Sequence, residues 1–270
     1  MPRLAILDDQ EEVERWLRRD PYLHLYGLGD LDARFRPRTI WYGRREADAL
    51  QSAVLLYHGV APPALLALDE TSAGATRALL RELIPALPPH LQCHLSPGLT
   101  DVLAGRYRLS AAQPHLKMGL LHRQALQDAP NMATTRLTEM DGADLLDLYR
   151  RAYPDNAYDP DLLVTGCFRG IRRDGRLVSA AGVHVYSRSY RVAALGSIAT
   201  HPLHRGRGLA RAVTAALCRD LLHTVDHIGL NVRADNGAAI ACYHSLGFDT
   251  THHYVELLAD DAYACPAGPN

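Results

Sequence analysis

The chain has 270 residues, 47% of them hydrophobic and 22% charged, and its 29 basic and 30 acidic side chains leave a net charge of -1. This composition is that of a folded globular protein, and its charge balance excludes any whole-molecule attraction to nucleic acid or anionic membrane. No apolar run reaches the ~18–20 residues of a spanning helix, and the opening MPRLAILDDQEEVERWLRRD turns acidic too early for a signal peptide, so a cytoplasmic location is expected.

The length suits two domains of ordinary size or one large one, and the pattern along the chain reads as two. In the first, residues 9–19 have helical propensity, with Val13, Trp16 and Leu17 on one face. PYLHLYGLGDLDARF continues as a short helix broken near Gly27 and Gly29. RTIWYGRR, SAVLLYHG and ALLALDE read as successive strands, separated by a polar loop and the Pro62–Pro63 turn. A helix over TRALLRELIPAL, a strand over LQCHLSP, a helix at GLTDVLAG and a strand at HLKMGLLH complete a unit spanning residues 1–126.

The polar segment 123–134, with Pro130–Asn131, is the expected linker. The second unit, residues 133–260, opens with TTRLT. An amphipathic helix over DGADLLDLYRRAY follows, with Leu145, Leu146 and Tyr149 near one face, and DPDLLVTGCF adds a short helix. RLVSAAGVHVYS and RVAALGSIATH are the clearest strands. The tight connection at Arg188–Tyr190 makes them an antiparallel pair. The expected class is therefore α/β (α+β), and the recurrence of a helix-rich start followed by strands suggests two tandem copies of one fold.

The informative stretch is LGSIATHPLHRGRGLARAVTAALCRDLL, residues 195–222. A strand ends near Thr200, His201–Pro202 turns the chain, and Arg205–Gly206–Arg207–Gly208 leads into a helix with an apolar stripe through Leu209, Val213, Ala216, Leu217 and Leu221. The first amides of that helix have no intrahelical acceptors, the two glycines admit close backbone approach, and the arginines add positive charge. Together these suit a pyrophosphate. Taken alone the turn reads equally well as a solvated loop. A second stretch follows: strand IGLNV, a turn at Ala234–Asp235–Asn236, and helix GAAIACYHSLGF with Asn236 placed to cap it, then strand FDTTHHYVEL.

Together these residues resemble the GCN5-related N-acetyltransferase (GNAT) superfamily, and within it the FR47-like branch, whose sequences run RGRGLAR and NVRADNxxAIxxYxxLGF. Arg205, Gly206, Arg207, Gly208, Leu209 and Ala210 match the family's pyrophosphate-binding motif. Asn231, Asn236, Ala239, Tyr243, Gly247 and Phe248 match the later one. The resemblance is strong over 177–258 and weak over the first 126 residues. It implies a mixed, mostly antiparallel central sheet flanked by helices, and direct acyl transfer from acetyl-coenzyme A to a primary amine of a small molecule, amino acid or peptide. It also implies that the backbone of Ile198, Ala199 and Thr200 accompanies the pantetheine arm where two strands splay, with Asn236 nearby. Tyr243 would give a proton to the departing thiolate.

A phenol, with a reference pKa near 10, suits that last role, although Tyr243 also reads as a packed aromatic. The base is less defined. Strand RVAALGSIATH carries no carboxylate, so Ser197 as a water-orienting group and His184, His201 or His204 as proton acceptors are the candidates, with His184 preferred. The missing carboxylate leaves open an alternative, a regulatory protein that binds acyl-coenzyme A without chemistry. No metal is expected. His244, His252 and His253 lack ligand spacing, and Cys93, Cys167, Cys218, Cys242 and Cys265 read as reduced structural thiols. The expected partner is the amine acceptor, with neither nucleic acid nor membrane, and a homodimer is left open. The amino-terminal unit reads as a divergent, degenerate copy, with a substrate-recognition domain or a dimerisation surface as the alternatives.

Overall fold

The computed structural model describes residues 3–263, apart from 48, 72, 155 and 157. Cys265, considered above, lies outside the described residues. In chain order the elements are β1 (Arg3–Ile6), α1 (Gln10–Leu17), α2 (Leu25–Asp30), β2 (Thr39–Glu46), β3 (Ala49–Tyr57), β4 (Ala64–Ala67), α3 (Ala73–Leu83), β5 (His90–Leu95), α4 (Thr100–Ala104) and β6 (Tyr107–Leu120). There follow β7 (Thr135–Arg136), α5 (Gly142–Ala152), β8 (Arg169–Arg173), β9 (Arg176–Ser187), β10 (Val192–Thr200), α6 (Leu209–Leu221), β11 (His227–Arg233), α7 (Gly237–His244) and β12 (Phe248–Asp261).

Two compact units result, Met1–Leu116 with His252–Asn270, and Lys117–Thr251. This partition differs from the expected 1–126 and 133–260. Residues 255–260 of β12 pair antiparallel with β5, which draws the end of the chain into unit 1. The expected linker also contains folded structure. Arg123–Asp128 form a 3-10 helix with Leu126 buried, and the Arg211 side chain donates to the Asp128 carbonyl at 3.1 Å.

Unit 1 begins with a capped helix. The Asp9 carboxylate accepts from the Glu12 amide at 3.1 Å, and α1 buries Val13, Trp16 and Leu17 on the face expected from their spacing. Gly27 and Gly29 do not break the next helix, as α2 runs through both. A Cβ on Gly27 would come to 3.0 Å from the Trp41 ring, so the glycine serves close helix-to-sheet packing. Strands β1 to β4 pair antiparallel in sequence order, and β4 then pairs parallel with β5 around the intervening α3. Leu79, Leu80 and Leu83 of α3 are fully buried in a core with Val54, Leu65 and Leu95.

Unit 2 repeats this plan. Strands β7, β8, β9 and β10 pair antiparallel in sequence order, and β10 pairs parallel with β11 around α6. Helix α6 packs across β8, β9 and β10, with Leu209, Val213, Leu217 and Leu221 buried and Ala216 only partly so. Each fully buried leucine contributes ~1.5–3 kcal/mol of transfer free energy. On α5, Leu145, Leu148 and Tyr149 face the core. Leu146, expected beside them, is 47% exposed because it lies about 100° around the helix from Leu145. Among the described residues no helix is long and apolar enough to cross a membrane.

Helix α7 ends at a residue that tolerates only glycine. Gly247 has φ of +89°, and a Cβ there would overlap the His122 carbonyl oxygen. The Gly247 carbonyl in turn accepts the amides of Leu121 and His122 at 3.1 and 2.9 Å. Gly247→Ala is expected to lower the unfolding free energy by roughly 2–4 kcal/mol, read from the urea midpoint. An unchanged midpoint would show that this crossing of the two backbone segments carries no stability.

Candidate active site

The site grows from an irregularity in β10. Its parallel pairing with β11 runs from Val192–His227 to Leu195–Leu230, and no registered pair follows. On its other side, β10 stays paired with β9 through Thr200, but with a bulge. Gly196 opposes Gly182 and Ala199 opposes Ala180, so Ser197 and Ile198 together face one residue. Ser197 takes the extra turn with φ of +53°, unusual for a residue with a side chain. The buried Tyr149 hydroxyl of α5 donates to the Ser197 carbonyl at 2.9 Å and fixes the bulge.

The bulge gathers polar groups. Ser197 Oγ lies 3.4 Å from His184 Nε2 and 3.3 Å from Asn156 Oδ1. Glycine is required at 196, because a Cβ there would overlap the His184 ring. The amide oxygen of Asn156 can only accept, so it takes the single hydroxyl proton of Ser197. In that arrangement His184 Nε2 carries a proton and donates to Ser197, leaving Nδ1 as its basic atom when the ring is neutral. Asn156 Nδ2 and the Tyr158 hydroxyl are buried without partners, and Tyr158 stands 5.0 Å from Tyr149, ring to ring.

Beyond Thr200 the chain makes a short 3-10 turn over Pro202–His204 and enters α6. Gly206 and Gly208 have φ of +74° and +72°. A Cβ on Gly208 would meet Pro130 and Met132 at ordinary distances of 3.6 and 3.9 Å, so backbone conformation rather than crowding selects glycine there. The first intrahelical bond runs from the Ala212 amide to the Gly208 carbonyl at 3.0 Å. The amides of 208–211 therefore precede the helical ladder and carry the positive end of its dipole. Arg205 turns back onto the protein, donating to the carbonyls of Thr200 at 3.3 Å and Ala152 at 3.2 Å. Arg207 is exposed.

Asn236 caps α7 as expected, accepting from the Ala239 amide at 3.2 Å. Tyr243 is buried, its ring 6.0 Å from Phe248. Burial, with smaller effects from Cys242, Tyr153 and Cys218, pushes its phenol well above the usual tyrosine range, so it stays protonated at neutral pH. Burial likewise raises the Cys242 and Cys218 thiols, which disfavours a thiolate nucleophile at either position.

Of the expected site residues, the structure joins Ser197 to His184, and runs Ile198, Ala199 and Thr200 straight into the turn at Arg205–Ala210. His201 and His204 instead meet edge to face, their ring centroids 5.6 Å apart, and His201 Nδ1 accepts from the Leu203 amide at 3.3 Å. Sequence reading missed Tyr149 and Asn156. The first carried a signal, since a tyrosine on the buried face of an amphipathic helix needs a partner for its hydroxyl. The second, in an irregular segment, carried none. Lys117, the sole lysine, was also missed: it is buried and donates to Asn231 Oδ1 at 3.4 Å. Among the described residues no group of three or more His, Cys, Asp or Glu is placed to hold a metal.

This arrangement defines a GNAT-type fold, and residues 126–248 match the model of the acetyltransferase (GNAT) family. Over that segment the chain is similar to the GNAT superfamily. The N-alpha-acetyltransferase RimI of Mycobacterium tuberculosis is 35% identical over 103 residues, which are 35% of this chain and 61% of that protein. An uncharacterised Mycobacterium leprae protein is 35% identical over 107 residues, 36% of this chain and 27% of that one. The chain thus spans 27% and 61% of the length of these curated relatives. A Drosophila protein solved by X-ray crystallography matches with a TM-score of 0.70 at 16% identity, covering 97% of this chain and 99% of its own. A tandem GNAT protein from the clavulanic acid biosynthesis pathway matches with a TM-score of 0.60 at 18% identity, covering 98% and 100%. At such identities the likeness is one of fold. That fold is a mixed, mostly antiparallel sheet flanked by helices in tandem GNAT-like domains.

Removing the Tyr149 hydroxyl would orphan the Ser197 carbonyl. Tyr149→Phe is expected to cost ~1–3 kcal/mol in urea unfolding, and a variant of unchanged stability would remove Tyr149 as the support of the bulge.

Proposed function

We propose that unit 2 binds acetyl-coenzyme A and transfers its acetyl group directly to a primary amine of a small molecule, amino acid or peptide. The observation that carries this reading is the ending of the β10–β11 ladder at Leu195–Leu230 just before two left-handed glycines at the mouth of α6. Beyond that point the β10 edge facing β11 leaves backbone groups for an amide-bearing arm, and the amides of 208–211 suit its diphosphate. The motifs RGRGLAR and NVRADN support the FR47-like branch. The relative named as an N-alpha-acetyltransferase supports an amine acceptor.

In this mechanism Ile198, Ala199 and Thr200 hold the pantetheine, with Asn236 beside it, and Arg205, Gly206, Arg207, Gly208, Leu209 and Ala210 form the diphosphate cradle. The neutral amine attacks the thioester carbonyl. The C–N bond forms, the C–S bond breaks, and the leaving sulfur takes the Tyr243 proton, which solvent later replaces. The excess proton on nitrogen leaves through water ordered by Ser197 and His184, with Nδ1 as the acceptor when Nε2 is engaged with Ser197. Bulge amides at Ile198 stabilise the oxyanion. No metal takes part. The absence of a carboxylate from β10 favours one other reading, a sensor that binds the thioester without turnover. Calorimetric titration with acetyl-coenzyme A, followed by turnover on an amine panel, separates the two, and failure to bind defeats both.

We assign unit 1 as a degenerate copy. The Asp69 carboxylate accepts from the Thr71 amide at 2.9 Å and from the Thr76 hydroxyl at 2.9 Å, placing a fixed anion where its α3 begins.

Gly208→Asp keeps a residue type that tolerates the left-handed region and puts a carboxylate in the cradle. It is expected to weaken acetyl-coenzyme A binding by about 10–100-fold with little change in Tm. Equal affinity would move the cradle elsewhere. Tyr243→Phe keeps the aromatic volume but removes the proton. The single-turnover rate is expected to fall roughly 10–1,000-fold while donor affinity holds, and an undiminished chemical step would reject Tyr243 as the donor.

A further inference from the structure

One buried group in unit 2 has no part in the transfer as described. Lys117, the only lysine of the chain, is 3% exposed near the end of β6, and its ammonium donates to Asn231 Oδ1 at 3.4 Å. Strand β6 lies beside β11, which carries Asn231. A buried ammonium is costly to place, and an apolar side chain of the same length would fill the space at lower free energy.

Strand register fixes where Asn231 stands. The β10–β11 ladder ends at Leu195–Leu230, so Asn231 is the first residue of β11 beyond it. Gly229 pairs with Ala194, and side chains alternate along each strand. Asn231 and Gly196, each two residues further on, therefore belong to the same face of the sheet. That face holds His184, whose ring fills the space a Cβ on Gly196 would take. The half-buried Asn231 side chain thus stands across the opened ladder from His184 and the Ser197 bulge.

The lysine settles how the Asn231 amide is turned. An ammonium only donates, so the atom facing it is the oxygen, and Nδ2 is turned away with both its N–H groups. Among the described residues, the bond from Lys117 is the one hydrogen bond of this side chain, and Nδ2 is not sealed from solvent. Strands β9, β10 and β11, which border the opening, carry no Asp or Glu. An acceptor arriving over them meets an oriented donor and no anion. A second amino group finds nothing on these strands to pair with, whereas an oxygen does.

Resting on the reading of unit 2 as an acyltransferase, we propose that Asn231 is an acceptor-recognition residue and Lys117 its positioning residue. The acceptor then carries a carbonyl oxygen on the group next to its amine-bearing carbon, as an amino acid or a peptide amino terminus does and an alkylamine or polyamine does not. Asn231 Nδ2 donates to that oxygen. Lys117 touches no substrate and acts by holding the amide in the donating orientation.

The test is calorimetry on the full-length protein with three conjugates, in which an S–CH₂–CO bridge joins coenzyme A to the nitrogen of glycine, glycinamide or isobutylamine. Isobutylamine has the shape of glycinamide without its oxygen. Coenzyme A alone is titrated beside them. The better of the glycine and glycinamide conjugates is expected to bind about tenfold more tightly than the isobutylamine one, the contribution of one hydrogen bond. Which of the two binds better tells a free amino acid from a peptide terminus. Asn231→Asp keeps the shape and gives Lys117 a carboxylate partner but replaces the donor by an acceptor, so the preference should vanish. Lys117→Met leaves the amide free to turn and should cut the preference to about threefold or less. A merely structural role would weaken all three conjugates and coenzyme A alike and leave the preference intact. That result, equal affinity of the three conjugates in the unaltered protein, or a preference that survives Asn231→Asp would overturn the proposal while coenzyme A binding still stood. Failure of coenzyme A itself to bind would remove the reading of unit 2 and the proposal with it.

Discussion

The bulge at Ser197 is the constraint from which the candidate site follows. A strand in the middle of a sheet normally gives all its backbone groups to its neighbours, and β10 does so only as far as Leu195 on the β11 side. Two residues facing one on the β9 side bend the strand and increase its twist. The bend has to be held, because Ser197 sits in a conformation that side chains disfavour. It is held by the Tyr149 hydroxyl on the Ser197 carbonyl and by a small-residue surround: glycine at 196 and at 182, where any side chain would overlap His184 or Phe168. The opening along β10 is thus a product of packing on the opposite side of the strand.

Most of the fold was legible because its elements are amphipathic at the expected periods. The faces of α1 and α6, the β9–β10 hairpin and the helix between β4 and β5 all follow from apolar spacing and turn residues. What failed did so for identifiable reasons. Gly27 and Gly29 are weak helix formers, yet tertiary packing against Trp41 overrides propensity in α2. Strand periodicity shows where a strand runs and not which strand it joins. The β5 pairing of residues 255–260 is a long-range event with no local mark.

The site was legible in a different way. Glycines at 206, 208 and 247 stand at positive φ, a conformation that restricts the choice of residue sharply. The Asn236 cap is a local hydrogen bond across three residues, and such bonds leave a pattern in sequence. The Ser197–His184 contact spans two strands, and the nomination of both residues came from their chemistry and their places on neighbouring elements. His201 and His204 had equal standing by those criteria. Only the fold separates them, since a turn that sets two imidazoles edge to face and uses Nδ1 of one as a cap differs from a strand that sets one imidazole over a glycine. Asn156 was invisible because nothing in its neighbours' spacing points it at Ser197.

The two units show how one backbone plan supports different chemistry. Both place a helix between two parallel strands, and in both the start of that helix concentrates unpaired amides. In unit 2 the approach to α6 is made of glycines and arginines, leaving those amides and their positive potential open to an anion. In unit 1 the corresponding approach carries Asp69, buried, with its carboxylate already taking the Thr71 amide and the Thr76 hydroxyl. A carboxylate so placed satisfies by itself the electrostatic demand that a phosphate would otherwise meet, and it repels a second anion. With the strand pairing alike in the two units, a single carboxylate at one helix entrance is enough to set their anion chemistry apart.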